Sequence, residues 1–395
     1  MKSLKKLVVL AISMTMVSSI FTGCSYEGKS ISDAYTKTQK ASSSEFKTQI
    51  GLRFSGENLS TQEQQEMGKV IPMINGSKLT VNGKMNQSNN GKSGKMQADM
   101  LLQVGNVPMN MGLWVDANTE NDKVNFKEIL KVPDMQSSKM NGKQYIVLDS
   151  SNMNKNGTMS TDIAKVSQDM QKKFSEMIVK DMVSFDPKFK LITDEGNQYW
   201  DLVDGARNVH VYEVKLNDKN FKDLIKYTSN SLVSSKDARD FLKDYLTTVV
   251  KVSSDKQQAS VSQAEIDKAF SDFEKGLPQF TASMNKVLNA FDGVPIVGDK
   301  GIVIDFAVDS NGYVVGQKGN IDLVFDAPKF ISTVESLSNV KNSNTANKLT
   351  GVYKLGIDFN TNTFNINKNV EIKFPEINSQ NSIQYEELLS QKKIK

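Results

Sequence analysis

Few side chains in this chain could carry out a reaction. Its 395 residues include one histidine, His210, and one cysteine, Cys24. Imidazole-rich metal centres, Ser-His-Asp relays and thiolate zinc sites would therefore each depend on a single residue. His210 opens the alternating run His210-Val211-Tyr212-Glu213-Val214-Lys215-Leu216. That spacing puts it on one strand face with Tyr212 and Val214, as a half-buried strand residue rather than a general base. No Gly-x-Ser-x-Gly elbow occurs. Gly91-Lys92-Ser93 ends like a phosphate loop, but Asn86 stands where the upstream glycine is required, which leaves a hairpin turn. Asp116, Asn118, Glu120 and Asp122 keep the alternate-residue spacing of a calcium loop. Asn121 replaces its turn glycine and Lys127 its closing glutamate, so a solvated loop is expected. Asp237, Asp240 and Asp244 share a helix face alongside Lys236 and Lys243, as a charge-laced surface does. Trp114, Tyr199 and Trp200 could stack on sugar rings, but on strands they read as packing. The expectation is a protein with no catalytic residue, no cofactor and no metal.

Cys24 differs because of what precedes it. Lys2, Lys5 and Lys6 lead into an apolar run from Leu7 to Phe21, followed by Thr22-Gly23-Cys24. A charged start, a short apolar middle and a small-residue exit make an export signal, and the run is too short for a comfortable membrane span. The segment resembles the lipobox of bacterial lipoproteins, with Phe21 where leucine is usual. The resemblance implies cleavage between Gly23 and Cys24, a diacylglyceryl group on the Cys24 sulfur, and retention on the extracytoplasmic face of the cell membrane. The implied partner is thus the membrane itself, held through Cys24. Two acyl chains, at about 0.8 kcal/mol per buried methylene, anchor firmly where one does so only marginally.

With Cys24 acylated no thiol remains for a disulfide, so the fold must be held by its core. The formal charge is +4, but Lys2, Lys5 and Lys6 belong to the signal and no acid accompanies them, which leaves +1 from Cys24 onward. No dense Lys/Arg stripe interleaved with aromatics is present, so a nucleic-acid partner is not expected. The organisation reads as a signal peptide over 1–23 and a lipidated N-terminus with tether over 24–44, the tether leading into a weak helix with thin apolar spacing at Ala34, Thr38 and Ala41. A single domain follows over 45–375, then a polar C-terminal tail over 376–395.

Within the domain, period-two alternation marks the strands. Ile50, Leu52 and Phe54 form one set; Leu79, Val81 and Met85, then Met96, Met100, Leu102 and Val104, then Met109, Met111, Leu113 and Val115, then Val124 and Phe126, form those that follow. Asn89-Asn90-Gly91, Gly105-Asn106 and Asn141-Gly142 supply hairpin turns, so the neighbours are antiparallel. Residues 62–71 read as a short helix and 161–182 as an amphipathic one. Two or three strands are predicted over Phe189–Thr193, Tyr199–Val203 and His210–Leu216. Four helices follow within a helical insertion over about 218–292, the first capped by Asn217 or Asp218 and the third by the box Ser262 and Glu265. The final block reads as two hairpins, one turning at Asp309-Ser310-Asn311-Gly312 and one at Asn360-Thr361-Asn362-Thr363. The expected class is α+β: a large curved antiparallel sheet, an open half-barrel, with helices on its concave face.

This order of elements, with the passage from His210–Leu216 into Phe221-Lys222-Asp223-Leu224-Ile225, resembles the LolA/LppX-type lipoprotein-carrier superfamily. The resemblance implies an unclosed barrel over helices with an apolar cavity for acyl chains. Met96, Met100, Met109 and Met111 on neighbouring strands, with Met170, Met177 and Met284 on helix faces opposite, are the candidate cavity lining, because thioethers are flexible and polarizable. The expected ligand is a lipid or another apolar molecule. The alternative is a cell-envelope protein that acts through protein–protein contacts of its sheet.

Overall fold

The computed structural model describes residues 26–88, 92–105, 107–120, 123–150, 173, 188–254, 262–338 and 349–391. Twelve strands form one open sheet: β1 (Ser43–Glu57), β2 (Lys78–Gln87), β3 (Ser93–Val104), β4 (Val107–Glu120), β5 (Lys123–Lys131), β6 (Tyr145–Asp149), β7 (Ile192–Leu202), β8 (Gly205–Leu216), β9 (Val297–Val308), β10 (Val314–Asp326), β11 (Val352–Phe364) and β12 (Ser382–Gln384). Their spatial order is β12-β6-β5-β4-β3-β2-β1-β11-β10-β9-β8-β7. Every adjacent pair is antiparallel except β12 with β6. Positive φ at Gly105, Asn141 and Gly142 supports the expected turns, since these residues tolerate the left-handed region. β1 joins the two halves of the sheet, because it pairs with β2 on one side and with β11 from Glu45↔Phe364 to Glu57↔Val352 on the other. The expected α+β class with a large open sheet is what the chain forms.

Because paired residues share a face, the register gathers the apolar positions of successive strands on one side. Helices α1 (Tyr26–Gln39), α3 (Asp218–Ser234) and α6 (Ala327–Ser338) pack on the sheet, α2 (Thr61–Asn75) packs beside β1, and α4 (Lys236–Ser254) and α5 (Gln263–Ala290) pack on other helices. The tightest core lies under α1 and α3, where Tyr212, Val214, Leu216, Ile302, Ile304 and Phe306 meet Ile31 and Leu224. α5 is a further layer out, packed on α3, α4 and α6. The caps form as expected: the Asn217 side chain accepts from the Asn220 N–H, and Ser262 and Glu265 make a reciprocal box.

Several expectations are corrected. The weak helix expected in the tether forms over 26–39 but is docked and not loose, because α1 buries Ile31 and Ala34 and its Thr38 Oγ1 accepts from the Val314 N–H at 2.9 Å. Burying Ile31 contributes roughly 1.5–3 kcal/mol. Of the two or three strands expected over 189–216, two form, since β7 runs through Asp194-Glu195-Gly196 as a bulge, with Gly196 at φ 69° and its N–H donating to Asp194. Two of the four predicted helices are the single α5, which continues through Gly276 and Pro278. Asn360-Thr361-Asn362-Thr363 is not a turn; β11 passes straight through it, paired on both sides. The predicted amphipathic helix over 161–182 lies outside the described residues apart from Lys173.

After β11 the chain crosses the outer face of the sheet as an extended strap. Ser43 Oγ donates to the Lys368 carbonyl, Asn86 Nδ2 to that of Val370 at 2.6 Å, and the Lys373 N–H to Gln97 at 3.3 Å. Phe374 and Ile377 then cover the cluster Trp114–Ile129–Val147. The last segment is likewise more than a polar tail, since β12 pairs with β6 and buries Ile383.

A carboxylate ties α2 to β11. Glu63 is buried and accepts from the Ser60 N–H at 2.7 Å, the Thr350 N–H at 2.8 Å and the Tyr353 hydroxyl at 2.6 Å. These bonds, from Thr350, Tyr353 and Ser60, hold its carboxyl far below the usual carboxylate range. Burial and the bond to Glu63 push the Tyr353 phenol up to about 12.

A candidate apolar binding face

The inner face of β2–β6 is built from strands whose apolar positions line up across the ladder. Val81 pairs with Met100 and Met100 with Met111; Met85 pairs with Met96, Leu102 with Met109, and Leu113 with Leu130. Met96, Met100, Met109 and Met111 therefore form one continuous apolar patch, and each is only partly buried. Among the described residues, the helices make their main contacts with β1, β6 and β7–β11. Half-burial at these methionines contrasts with Val214 and Leu216, which are 0 % exposed under α1 and α3. Met284 is partly buried on α5, a layer away from the sheet, and not across from the strand methionines. Met170 and Met177 lie outside the described residues, as do Gly23 and Cys24.

One position on this wall was not singled out from the sequence. Glu128 pairs with Val115 on β4 and Leu148 on β6, which places a carboxyl on the apolar side. Burial pushes its pKa up. The signal was present in Phe126-x-Glu128-x-Leu130, where an acid breaks the apolar alternation.

The other candidates resolve into structure. His210 has Nε2 at 2.8 Å from Asp194 and Nδ1 at 3.2 Å from Asn197, with its ring 4.8 Å from that of Tyr212. Nδ1 thus has a hydrogen-bond partner and Nε2 a carboxylate neighbour on the adjacent edge strand, and the group is a strand-end polar network. The Gly196 N–H, and then His210, hold the Asp194 carboxyl below its ordinary value. Asp116 and Asn118 lie within β4, where Lys95 pairs with Asp116 at 3.4 Å and Asn125 bonds Asn118 at 3.2 Å. No group of metal-ligating side chains occurs among the described residues. Lys236 pairs with Asp240 and Lys243 with Asp267, as expected of a charged helix surface. Trp114 and Trp200 are buried on the outer face, each over a glycine that a Cβ would fill: Gly112 under Trp114 at 2.5 Å and Gly316 under Trp200 at 2.9 Å. Tyr199 is exposed.

A hollow of about 780 Å³, away from this face, opens between α3, α4 and α5 and is lined by Tyr227, Asn230, Ser231, Leu277 and Thr281 among others. Asn230 and Asn285 exchange amide hydrogen bonds of 2.9 Å across the α3–α5 contact near it. No described helix is long and apolar enough to cross a membrane. Comparison with protein-family models, with curated proteins and with solved structures finds no match for this chain.

Proposed function

We propose that this chain is an extracytoplasmic lipoprotein, anchored in the cell membrane through Cys24, that holds a lipid or other apolar ligand against the inner face of its sheet and performs no catalysis. The observation that carries the reading is the half-buried methionine wall of β3 and β4, continuous with Leu79, Val81, Leu113 and Leu130. Contiguous apolar surface of this kind marks a binding site more often than idle exposure. Methionine suits it, because an unbranched thioether repacks around acyl chains of different shape. An acyl chain that transfers about ten methylenes onto the wall gains on the order of 8 kcal/mol before association costs.

The anchor reading rests on the lysine-led apolar run that ends at Thr22-Gly23-Cys24. α1 begins only two residues after Cys24 and is packed into the core. Two residues reach at most about 7 Å, so an acylated Cys24 keeps the body close against the bilayer.

Residues 25–395, produced without the signal and the anchoring cysteine, should carry extractable acyl lipid at near-stoichiometric levels by mass spectrometry. A lipid-free preparation that also ignores added apolar probes would eliminate the binding reading. Separately, Cys24→Ser should release the chain from membranes or block removal of the signal, and unchanged incorporation of labelled lipid would eliminate the anchor.

A further inference from the structure

Across the inner-face positions of β2–β6, from Leu79 and Val81 through the methionines to Ile146 and Leu148, the register places one ionisable side chain, that of Glu128. Its cross-strand partners are Val115 and Leu148, its neighbours along β5 on the same face are Phe126 and Leu130, and the diagonal positions hold Leu113, Ala117 and Ile146, with Ser150 just past β6. Of these side chains only Ser150 carries a donor, and its hydroxyl oxygen is taken up by the Phe126 N–H at 3.0 Å. The residue is partly buried, and no hydrogen bond or ion pair to it is formed by another described residue. A carboxyl in such a setting is costly, since no described residue offers a partner that offsets its desolvation. Its ordinary replacement at an inner strand position would be Leu, Val or Met.

From this geometry we infer that Glu128 is the head-group reader of the apolar wall, and that the ligand is an amphiphile whose head is an ammonium group, seated on Glu128 while its chain lies along Met96, Met100 and Met111. The inference rests on the proposed apolar site and deepens it by naming the chemistry of the ligand. An ammonium arriving with its tail supplies the charge-assisted bond that the wall lacks, and it does so away from competing water. A carboxylate or phosphate head would meet a like charge there or force Glu128 to stay protonated. A plain hydrocarbon would leave the carboxyl unsatisfied.

The test uses the full chain in lipid nanodiscs and photoactivatable dodecylamine, dodecanol and dodecanoate, with labelled peptides mapped by mass spectrometry. Dodecylamine should label β3–β6 about tenfold more than dodecanoate, and Glu128→Gln should bring that ratio near one while dodecanol labelling stays unchanged. Glu128→Met, which matches the rest of the wall, should do the same and serves if the glutamine variant folds poorly. An amine preference that survives both substitutions, or equal labelling of the native chain by amine and carboxylate, overturns the role of Glu128 and leaves the apolar site standing. Labelling of none of these strands by any of the three probes overturns the apolar site itself.

Discussion

The two halves of the sheet use the same alternation and treat their inner faces differently. On β8 and β9 the inner positions are Tyr212, Val214, Leu216, Ile302, Ile304 and Phe306, all but Leu216 β-branched or aromatic, sealed beneath α1 and α3. On β2–β4 the large inner side chains include Val81, Met96, Met100, Met109 and Met111, all partly exposed around the small buried Ala98, and that half keeps its large buried residues, Trp114, Ile129 and Val147, on the outer face. Stiff side chains specify one packing, whereas methionine accepts several. One half thus behaves as the structural core of the domain. The other keeps its core behind the sheet and leaves its inner face adaptable.

The largest effect should come from removing a ring from the sealed half. Phe306 is 2 % exposed and packs edge-on against Tyr35 of α1 at 6.1 Å, so Phe306→Ala should cost about 3–5 kcal/mol. Met100→Ala or Met111→Ala, from a wall already half open, should cost about 1 kcal/mol or less and instead weaken apolar-probe binding. Urea titrations read both. Equal losses in the two halves would mean that the methionine wall is ordinary core.

The next effect concerns the joint between the halves. Glu63 sits on α2, beside β1, and is bonded to Thr350 and Tyr353 at the start of β11. Its folded pKa is depressed, so its contribution is present above the unfolded value of about 4.5 and is lost as the pH falls below it. Glu63→Gln puts amide hydrogens against the donors Tyr353 O–H and Thr350 N–H and should lower the thermal midpoint by several degrees at neutral pH. The gap to the native chain should narrow steadily from about pH 5 downward. A gap independent of pH would show that Glu63 acts by shape alone.

The strands of both halves were legible because alternation survives any tertiary context: Ile302, Ile304 and Phe306 or Met109, Met111 and Leu113 share a face whatever covers them. Local signals that mimic punctuation misled. Asn360-Thr361-Asn362-Thr363 has the composition of a turn, yet Thr361 bonds the Thr48 hydroxyl at 3.0 Å and buried Asn362 accepts from the Val203 N–H at 3.0 Å. Partners distant in sequence satisfy the polar run inside a central strand, which no window of β11 can reveal. The third and fourth predicted helices run on through Gly276 and Pro278 as the single α5. The thin apolar spacing Ala34, Thr38 and Ala41 marked a weak helix but not its docking, because small residues such as Ala34 are what close packing on β9 and β10 requires. At the candidate site the methionines were visible as a set, while the place of Glu128 among them depended on pairing register.

The smallest of the three effects tests whether the adaptable half is held from behind. Trp114, Ile129 and Val147 are buried on the outer face under Phe374 and Ile377, delivered by a strap with no strand partner at that point. Lys95 adds a cation 5.9 Å from the Phe374 ring, a modest attraction at an exposed position. Phe374 is only partly buried, so Phe374→Ala should cost about 1–3 kcal/mol, below the range for a sealed ring. Because Trp114 lies beneath the strap, its emission should shift to the red before global unfolding, as the strap lifts without the sheet opening. Apolar-probe binding on the inner face should stay within twofold of the native value, since Trp114 and Met111 occupy opposite sides of β4. If the variant lost probe binding together with its outer packing, the two faces of that half would be one cooperative unit. The separation between a fixed back and an adaptable front would then fail.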